Sequence, residues 1–293
     1  MKTAFVSIIG RTNVGKSTLL NAILGEKISI ISDKPQTTRS RIVGVYNADD
    51  IQIAFLDTPG FHKPENKLGS KMIEVAEESM DDADLLLFVA ECRLPGGTER
   101  EVLRRIADSD IPCILVLNKI DKVRKDDILK VIAAYAELHN FASVVPISAL
   151  QRDGVKIVLD EILKFTTDSE IAYYPTDSAT DRSERYLATE LVREKLLRNL
   201  REEVPHGTAV EPILFRDRED GNLTEIYVNI ICERESHKGI IIGKQGTMLK
   251  KIATEARSEI ENLLGRKVYL ECRVKVREDW RNNDSLINEY NEF

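Results

Sequence analysis

Eight consecutive residues near the N-terminus have the types and spacing to hold a polyphosphate. Gly10-Arg11-Thr12-Asn13-Val14-Gly15-Lys16-Ser17 fits the pattern G-x-x-x-x-G-K-S. Glycines admit phosphate oxygens where a Cβ would collide, and successive N–H groups at a helix start attract negative charge. Lys16 is the residue to reach the β- and γ-phosphates and the Ser17 hydroxyl the one to bind Mg2+, with Thr18 completing the contact set. A plain glycine turn would account for Gly10 and Gly15. It would not account for an apolar run, Ala4 to Gly10, leading in, or an amphipathic stretch, Lys16 to Leu24, leading out.

Four further segments fit the same chemistry. Asp57-Thr58-Pro59-Gly60 closes the apolar run Ile51 to Leu56. Asp57 is placed to hold Mg2+ through water, and the Gly60 N–H to bind a γ-phosphate. D-x-x-G is a weak pattern alone and takes its weight from that position. Asn118-Lys119-Ile120-Asp121 closes another apolar run. A carboxylate at Asp121 accepts from both N1–H and the 2-amino group of guanine, a donor pair that adenine lacks, so it selects GTP over ATP. Ser148-Ala149-Leu150 follows the last apolar run, where the Ala149 N–H can meet guanine O6. Between Ser32 and Arg41, the polar stretch with Pro35-Gln36-Thr37-Thr38-Arg39 has the character of a loop whose threonine closes on Mg2+ when GTP is bound. Phe61 follows Gly60 where many GTPases carry the glutamine that orients the attacking water. The sequence names no catalytic base, and slow intrinsic turnover is expected.

A second chemistry sits near the other end. His237 to Gly246 contains Gly243-Lys244-Gln245-Gly246 ahead of a helical stretch. G-x-x-G before a helix is the backbone clamp of KH domains for single-stranded nucleic acid. Ile240 and Ile242 would wall a base groove, while Lys244 and Lys250 supply charge and Gln245 a polar contact. From Arg234 to Arg281 there are twelve Lys or Arg against seven Asp or Glu, a basic island in a chain of net charge −7. The competing reading is a glycine turn between core helices with a solvated charged face.

These residues need rigid supports, and the pattern provides them. Near-continuous apolar runs at Ala4–Gly10, Ile51–Asp57, Leu85–Ala90, Cys113–Asn118 and Val144–Ile147 read as strands buried on both faces. Amphipathic stretches at 16–24, 68–80, 98–108, 126–139 and 154–165 alternate with them, which predicts an α/β, doubly wound, mostly parallel sheet over residues 1–170. Polar residues with Pro175 mark a linker over 171–182. Residues 183–293 then read as a smaller α+β domain: a helix from Ser183 to Glu203, strands at 209–216 and 224–233 joined at Asp220-Gly221, a Gly-punctuated loop, a helix at 247–264 and a strand at 267–276.

Composition narrows the class. The acidic balance excludes general polyanion binding, so any nucleic-acid site must be local. The four cysteines, Cys92, Cys113, Cys232 and Cys272, show no metal-ligand spacing and read as buried thiols in a reducing cytosol. No apolar run approaches the ~18 residues of a membrane helix.

Together, Gly10 to Ser17, Thr37-Thr38, Asp57 to Gly60, Asn118 to Asp121, Ser148-Ala149 and Gly243 to Gly246 resemble the Era family of bacterial GTPases, which carry a C-terminal type II KH domain. The resemblance covers essentially the whole chain. It implies binding to the 3′ end of 16S ribosomal RNA, help in assembling the 30S subunit, RNA binding coupled to the GTP state, and a cytoplasmic location with peripheral inner-membrane association. It also implies that Thr38 is the Mg2+-contacting threonine and that an apolar residue such as Phe61 is usual at its position. A monomer is expected. The alternatives are a GTPase acting on another RNA, or one signalling through a protein partner of the KH-like domain. A tRNA-modification role is disfavoured by the absence of a cysteine near the C-terminal end of this sequence.

Overall fold

The computed structural model describes residues 1–219 and 222–291. The chain forms two compact units. The first comprises Met1–Ser29, Thr38–Glu65 and Gly69–Asp181; the second comprises Ile30–Thr37, Asn66–Leu68 and Arg182–Phe293.

The first unit is built from β1 (Lys2–Ile9), α1 (Lys16–Leu24), β2 (Ile42–Ala48), β3 (Ile51–Asp57), α2 (Lys67–Asp81), β4 (Leu85–Glu91), α3 (Gly97–Asp108), β5 (Cys113–Asn118), α4 (Lys125–Ala136), β6 (Ser143–Pro146), α5 (Val155–Ile162) and the short β7 (Thr167–Asp168). The strand order is β2-β3-β1-β4-β5-β6. All neighbours are parallel except β2, which pairs antiparallel with β3, and β7, which pairs antiparallel with the start of β1. The apolar runs are continuous because strand side chains alternate and both faces are covered. On β4, Leu85, Leu87 and Val89 join the layer under α1 and α5, while Leu86, Phe88 and Ala90 join the layer under α2, α3 and α4. Strand β2 does not stand out in the sequence as a buried run, because it is the antiparallel edge and its last three residues are only half-buried.

Residues 171–182, expected to be a linker, instead run as a strap along this edge. Gln52 Oε1 accepts from the Tyr173 and Tyr174 N–H groups at 2.8 and 2.9 Å, and Gln52 Nε2 donates to Tyr174 O at 2.9 Å. Val45 N donates to Ala179 O at 2.8 Å, and Thr180 Oγ1 donates to Val43 O at 2.7 Å. Tyr173 packs edge-on against Phe5. A polar segment with Pro175 has few hydrogen bonds of its own, and the open edge of β2 satisfies it.

The second unit contains α6 (Glu184–Asn199), β8 (Ala209–Asp217), β9 (Leu223–Cys232), α7 (Glu235–Ile242), α8 (Thr247–Leu264), β10 (Lys267–Val276) and α9 (Asp284–Asn291). Its sheet has the order β10-β9-β8, with β10 parallel and β8 antiparallel to β9. The expected turn residues Asp220 and Gly221 lie outside the described residues. Ile252, Ala256, Ile260 and Leu264 are buried on one face of α8, at the four-residue spacing of a helix stripe, and pack with Val192, Leu196, Val228 and Ile230. The Gly-punctuated loop is shorter than the sequence suggests: residues 235–242 are helical, with Ile241 anchored in the core. Gly239 misleads there, since a single glycine inside a helix costs only about 1 kcal/mol.

Candidate functional site

The loop from Gly10 to Ser17 joins β1 to α1, and its shape is enforced by the core beneath it. Gly15 has φ +101°, and a Cβ there would lie 2.2 Å from Asn118 Nδ2. That amide cannot retreat, because Asn118 Nδ2 donates to Val14 O at 2.8 Å while its Oδ1 accepts from Lys119 N and Ala149 N at 2.8 and 3.0 Å. Lys119 Nζ donates to Asn13 O at 2.6 Å and also pairs with Glu91. The two loops meant for phosphate and base are thus one hydrogen-bonded body. Lys16 is buried, with Nζ donating to Gly10 O and Arg11 O at 3.3 and 3.2 Å. Burial pulls its ammonium down to about 8, against the opposing charge of Asp57.

Oxygen donors converge next to it. Ser17 Oγ lies 3.0 Å from Thr38 Oγ1 and donates to Asp57 Oδ2 at 2.8 Å, and Ser29 Oγ donates to the same oxygen at 2.7 Å. Burial pushes the Asp57 carboxyl above its ordinary range, opposed by these hydroxyls and by Lys16. Asp57 Oδ1 is buried with no hydrogen-bond partner. A buried carboxylate oxygen left unpaired among hydroxyls fits a hard divalent cation such as Mg2+, which takes few protein ligands beside substrate phosphate and water. Among the described residues no group of three or more His, Cys, Asp or Glu could hold a metal.

The Asp57–Gly60 turn lies directly on the phosphate loop. Phe61 N donates to Gly10 O at 3.0 Å, and a Cβ on Gly60 would sit 2.6 Å from Thr12 N. Thr58 Oγ1 donates to Ile8 O at 2.8 Å. The Phe61 side chain points into the core under α3, with the Arg105 guanidinium over its ring. At the base end, Ser148 Oγ donates to Asp121 Oδ1 at 2.6 Å, which aims the carboxylate. The Ala149 amide, expected to face guanine O6, donates to Asn118 Oδ1 in this structure. Leu150 beside it is exposed, and Ile120 begins a single helical turn after Lys119, whose φ is +68°.

In the second unit the turn Gly243-Lys244-Gln245-Gly246 connects α7 to α8. Gly243 has φ +73°, and a Cβ would meet Met248 Cβ at 2.7 Å; Gly246 has φ +77° and open space around it. Lys244, Gln245 and Lys250 are exposed, and Ile240 is 50 % exposed while its neighbour Ile241 is fully buried. Ile242 is half-buried at the end of α7. Lys244 and Lys250 make no ion pair among the described residues, whereas Arg266 is neutralised by Glu184 and Asp217, Arg273 by Glu271, and Arg281 by Glu233. Two exposed charges without an ion partner thus stand at or beside the turn.

Comparison with known proteins follows this division. Residues 5–119 match the family described as 50S ribosome-binding GTPase, and residues 203–281 match the KH domain. The GTPase Era of Ruminiclostridium cellulolyticum is 48% identical over 287 residues, covering 98% of this chain and 96% of that protein. The GTPase Era of Geobacter metallireducens is 49% identical over 289 residues, covering 98% and 97%. The chain belongs to the Era family of GTPases. Among solved structures, Era in complex with MgGDPNP and nucleotides 1506–1542 of 16S ribosomal RNA superposes with a TM-score of 0.96 at 41% identity, covering 99% of this chain and 98% of that one. An Aquifex aeolicus Era variant bound to GDP and AlF4− also gives 0.96 at 41%, covering 99% of each chain.

Two features of this Era-family site are not visible in its motifs. His62 Nδ1 donates to Gly60 O at 2.9 Å, while its Nε2 is buried without a partner. Arg11 lies 3.7 Å from both Glu91 and Glu99, and Glu99 also holds Arg93 at 3.2 Å. His62 lies two residues past Gly60, outside the D-x-x-G pattern. Arg11 belongs to the phosphate-loop motif, but Glu91, Arg93 and Glu99 belong to none and lie far from it in sequence, so only the sheet brings them to it.

Proposed function

We propose that this Era-family GTPase is a GTP-gated RNA-binding switch that grips the 3′ end of 16S ribosomal RNA through its G-x-x-G turn and assists assembly of the 30S subunit. The observation that carries the RNA half is that turn: an open glycine, two unpaired lysines and an exposed isoleucine at the start of a helix. Backbone phosphates meet the positive end of α8 and the lysines, while Ile240 and Ile242 offer apolar surface to the bases. The solved Era complex with a 16S fragment supports the choice of RNA.

In the GTP half, Lys16 binds the β- and γ-phosphates, together with the N–H groups from Arg11 to Thr18. Ser17, Thr38 and Asp57 would hold Mg2+, which neutralises charge developing on the phosphate oxygens. The Thr58-Pro59-Gly60 turn presents the Gly60 N–H to the γ-phosphate. Asp121 reads guanine, steadied by Ser148, with Asn118 and Lys119 holding the loop. Phe61 is turned into the core and offers no hydrogen bond to water, so intrinsic single turnover is slow; a rate equal to that of a partner-stimulated GTPase would refute this. We place the protein in the cytoplasm as a monomer, with peripheral association at the cytoplasmic face of the cell membrane. Among the described residues no helix is long and apolar enough to cross a membrane.

The test is binding of a short single-stranded RNA matching the 16S 3′ end, with GDP and with a non-hydrolysable GTP analogue, against the Gly246→Asp variant. Tight binding with the analogue only, lost in the variant, is expected. Absence of binding in both states, with GTPase activity intact, would move the KH domain to a protein partner.

A further inference from the structure

Helix α6 buries charge that its own fold does not explain. Arg193, Glu194 and Lys195 are 3 %, 0 % and 2 % exposed. Three successive residues of a helix with 3.6 residues per turn fan over most of its circumference and cannot share one face. Buried charges persist only where hydrogen-bonding partners answer them. Lys195 is answered by Glu194 at 2.8 Å and by Glu259 on α8.

Arg193 and Glu194 are answered by the backbone of residues 31–37, which belong to the same compact unit. Glu194 Oε1 accepts from Ile31 N at 2.9 Å, and Arg198 donates to Ile31 O at 3.3 Å and to Glu194 at 3.0 Å. Arg193 donates to Thr37 O and, at 3.4 Å, to Gln36 O, and Glu190 holds its guanidinium at 2.6 and 2.7 Å. Lys34 Nζ donates to Leu200 O. Main-chain partners at both ends of the segment mean that the path of the peptide is held.

The next residue is Thr38, whose hydroxyl stands 3.0 Å from Ser17 Oγ. We infer that Arg193 and Glu194 are positioning residues for Thr38: by fixing the path of residues 31–37 they deliver its hydroxyl to the Mg2+ position, so that γ-phosphate binding and the order of α6 are linked. This rests on the reading that Thr38 closes on Mg2+ with GTP. Linkage of this kind is reciprocal, so each side reports on the other.

The experiment measures affinity of the full chain for a GTP analogue and for GDP, both with Mg2+, in Arg193→Gln, Glu194→Gln and the half-exposed Arg198→Ala. Thr38→Ala is the reference and Asn199→Ala, which loses bonds to Lys195 and Glu255 only, is the structural control. Arg193→Gln and Glu194→Gln should each lower the analogue-to-GDP affinity ratio about tenfold and Arg198→Ala about threefold, the scale of one lost charge-assisted hydrogen bond shared between two states. Asn199→Ala should leave the ratio unchanged whatever it does to the melting temperature. A fall in Thr38→Ala with no change in the three α6 variants overturns the inference. No change in Thr38→Ala itself overturns the reading beneath it. If the buried variants do not fold, hydrogen exchange of the wild-type 184–199 peptides decides: slower exchange with the analogue than with GDP is expected, and equal rates overturn the proposal.

Discussion

The chain carries two glycine loops to which we assign phosphate ligands, and they are built on opposite principles. In the loop before α1, a Cβ on Gly10 would lie 2.2 Å from Val89 O and one on Gly15 would lie 2.2 Å from Asn118 Nδ2, so the loop is pressed against the sheet from below. Its lysine is buried and depressed to about 8. In the turn before α8, only Gly243 touches the fold; Gly246 faces open space and Lys244 is exposed. The first loop is a rigid mould for one small ligand, which keeps the ordering cost out of binding. The second is open and exposed, so in the function proposed above charge rather than enclosure would hold a long chain laid over it.

The contrast is sharpest at the glycines. Gly15→Ala should lower stability by about 2–4 kcal/mol, since it combines a positive φ with a collision that the pinned Asn118 cannot relieve. It should also weaken GTP at least a hundredfold, because the displaced Asn118 belongs to the base loop as well. Gly246→Ala should cost roughly 1–2 kcal/mol for its positive φ alone and leave GTP binding unchanged. Thermal melts with nucleotide titration check both. Equal stability losses would show that the two loops are equally embedded.

The lysines give the next test. Lys16 sits buried beside main-chain carbonyls, so Lys16→Met should stabilise the nucleotide-free protein by about 1–3 kcal/mol, while GTP hydrolysis falls by about a thousandfold. Lys244→Met should shift stability by no more than about 0.5 kcal/mol and leave hydrolysis intact. A Lys16→Met protein that melts lower than wild type would mean that the buried ammonium is a net structural asset.

The same contrast governs what the sequence discloses. Motifs compressed into a few residues, from Gly10 to Ser17, Asn118 to Asp121 and Gly243 to Gly246, are legible because backbone shape and ligand chemistry both constrain adjacent positions. The parallel strands are legible because burial on both faces writes an unbroken apolar run. Strand β2 and the strap over 171–182 are not, since an edge strand and its cover are held by main-chain bonds that leave no apolar pattern. Gln52 closes part of that strap with one side chain, and Glu99 enters the site only when distant elements are brought alongside; His62 is local to the Gly60 turn but fits no phosphate pattern. Helix α7 hides behind Gly239, where a breaker signal lost to the packing of Ile241.

Gly246→Asp tests the open turn directly. Aspartate tolerates a left-handed backbone better than most residues, and nothing crowds this position, so the KH domain should remain folded with a loss of about 1 kcal/mol. The new carboxylate would stand where RNA phosphate is expected, and RNA affinity should fall about tenfold or more by like-charge repulsion. Gly243→Asp would be ambiguous, because Met248 closes its space and unfolding would produce the same loss.

The smallest effect discriminates most finely. Among the described residues Lys244 has no carboxylate partner, so Lys244→Ala removes its charge without stranding another group. If it meets one RNA phosphate, the slope of log affinity against log salt should become shallower by about 0.7, the value for one counterion on a single strand, with affinity at physiological salt down roughly threefold. Arg273 is the matched comparison: Glu271 already neutralises it at 2.8 Å, so Arg273→Ala should leave the slope unchanged. A slope that responds to Arg273 and ignores Lys244 would place the RNA on the strand face of the domain. The open glycine turn would then be a structural connection between two helices.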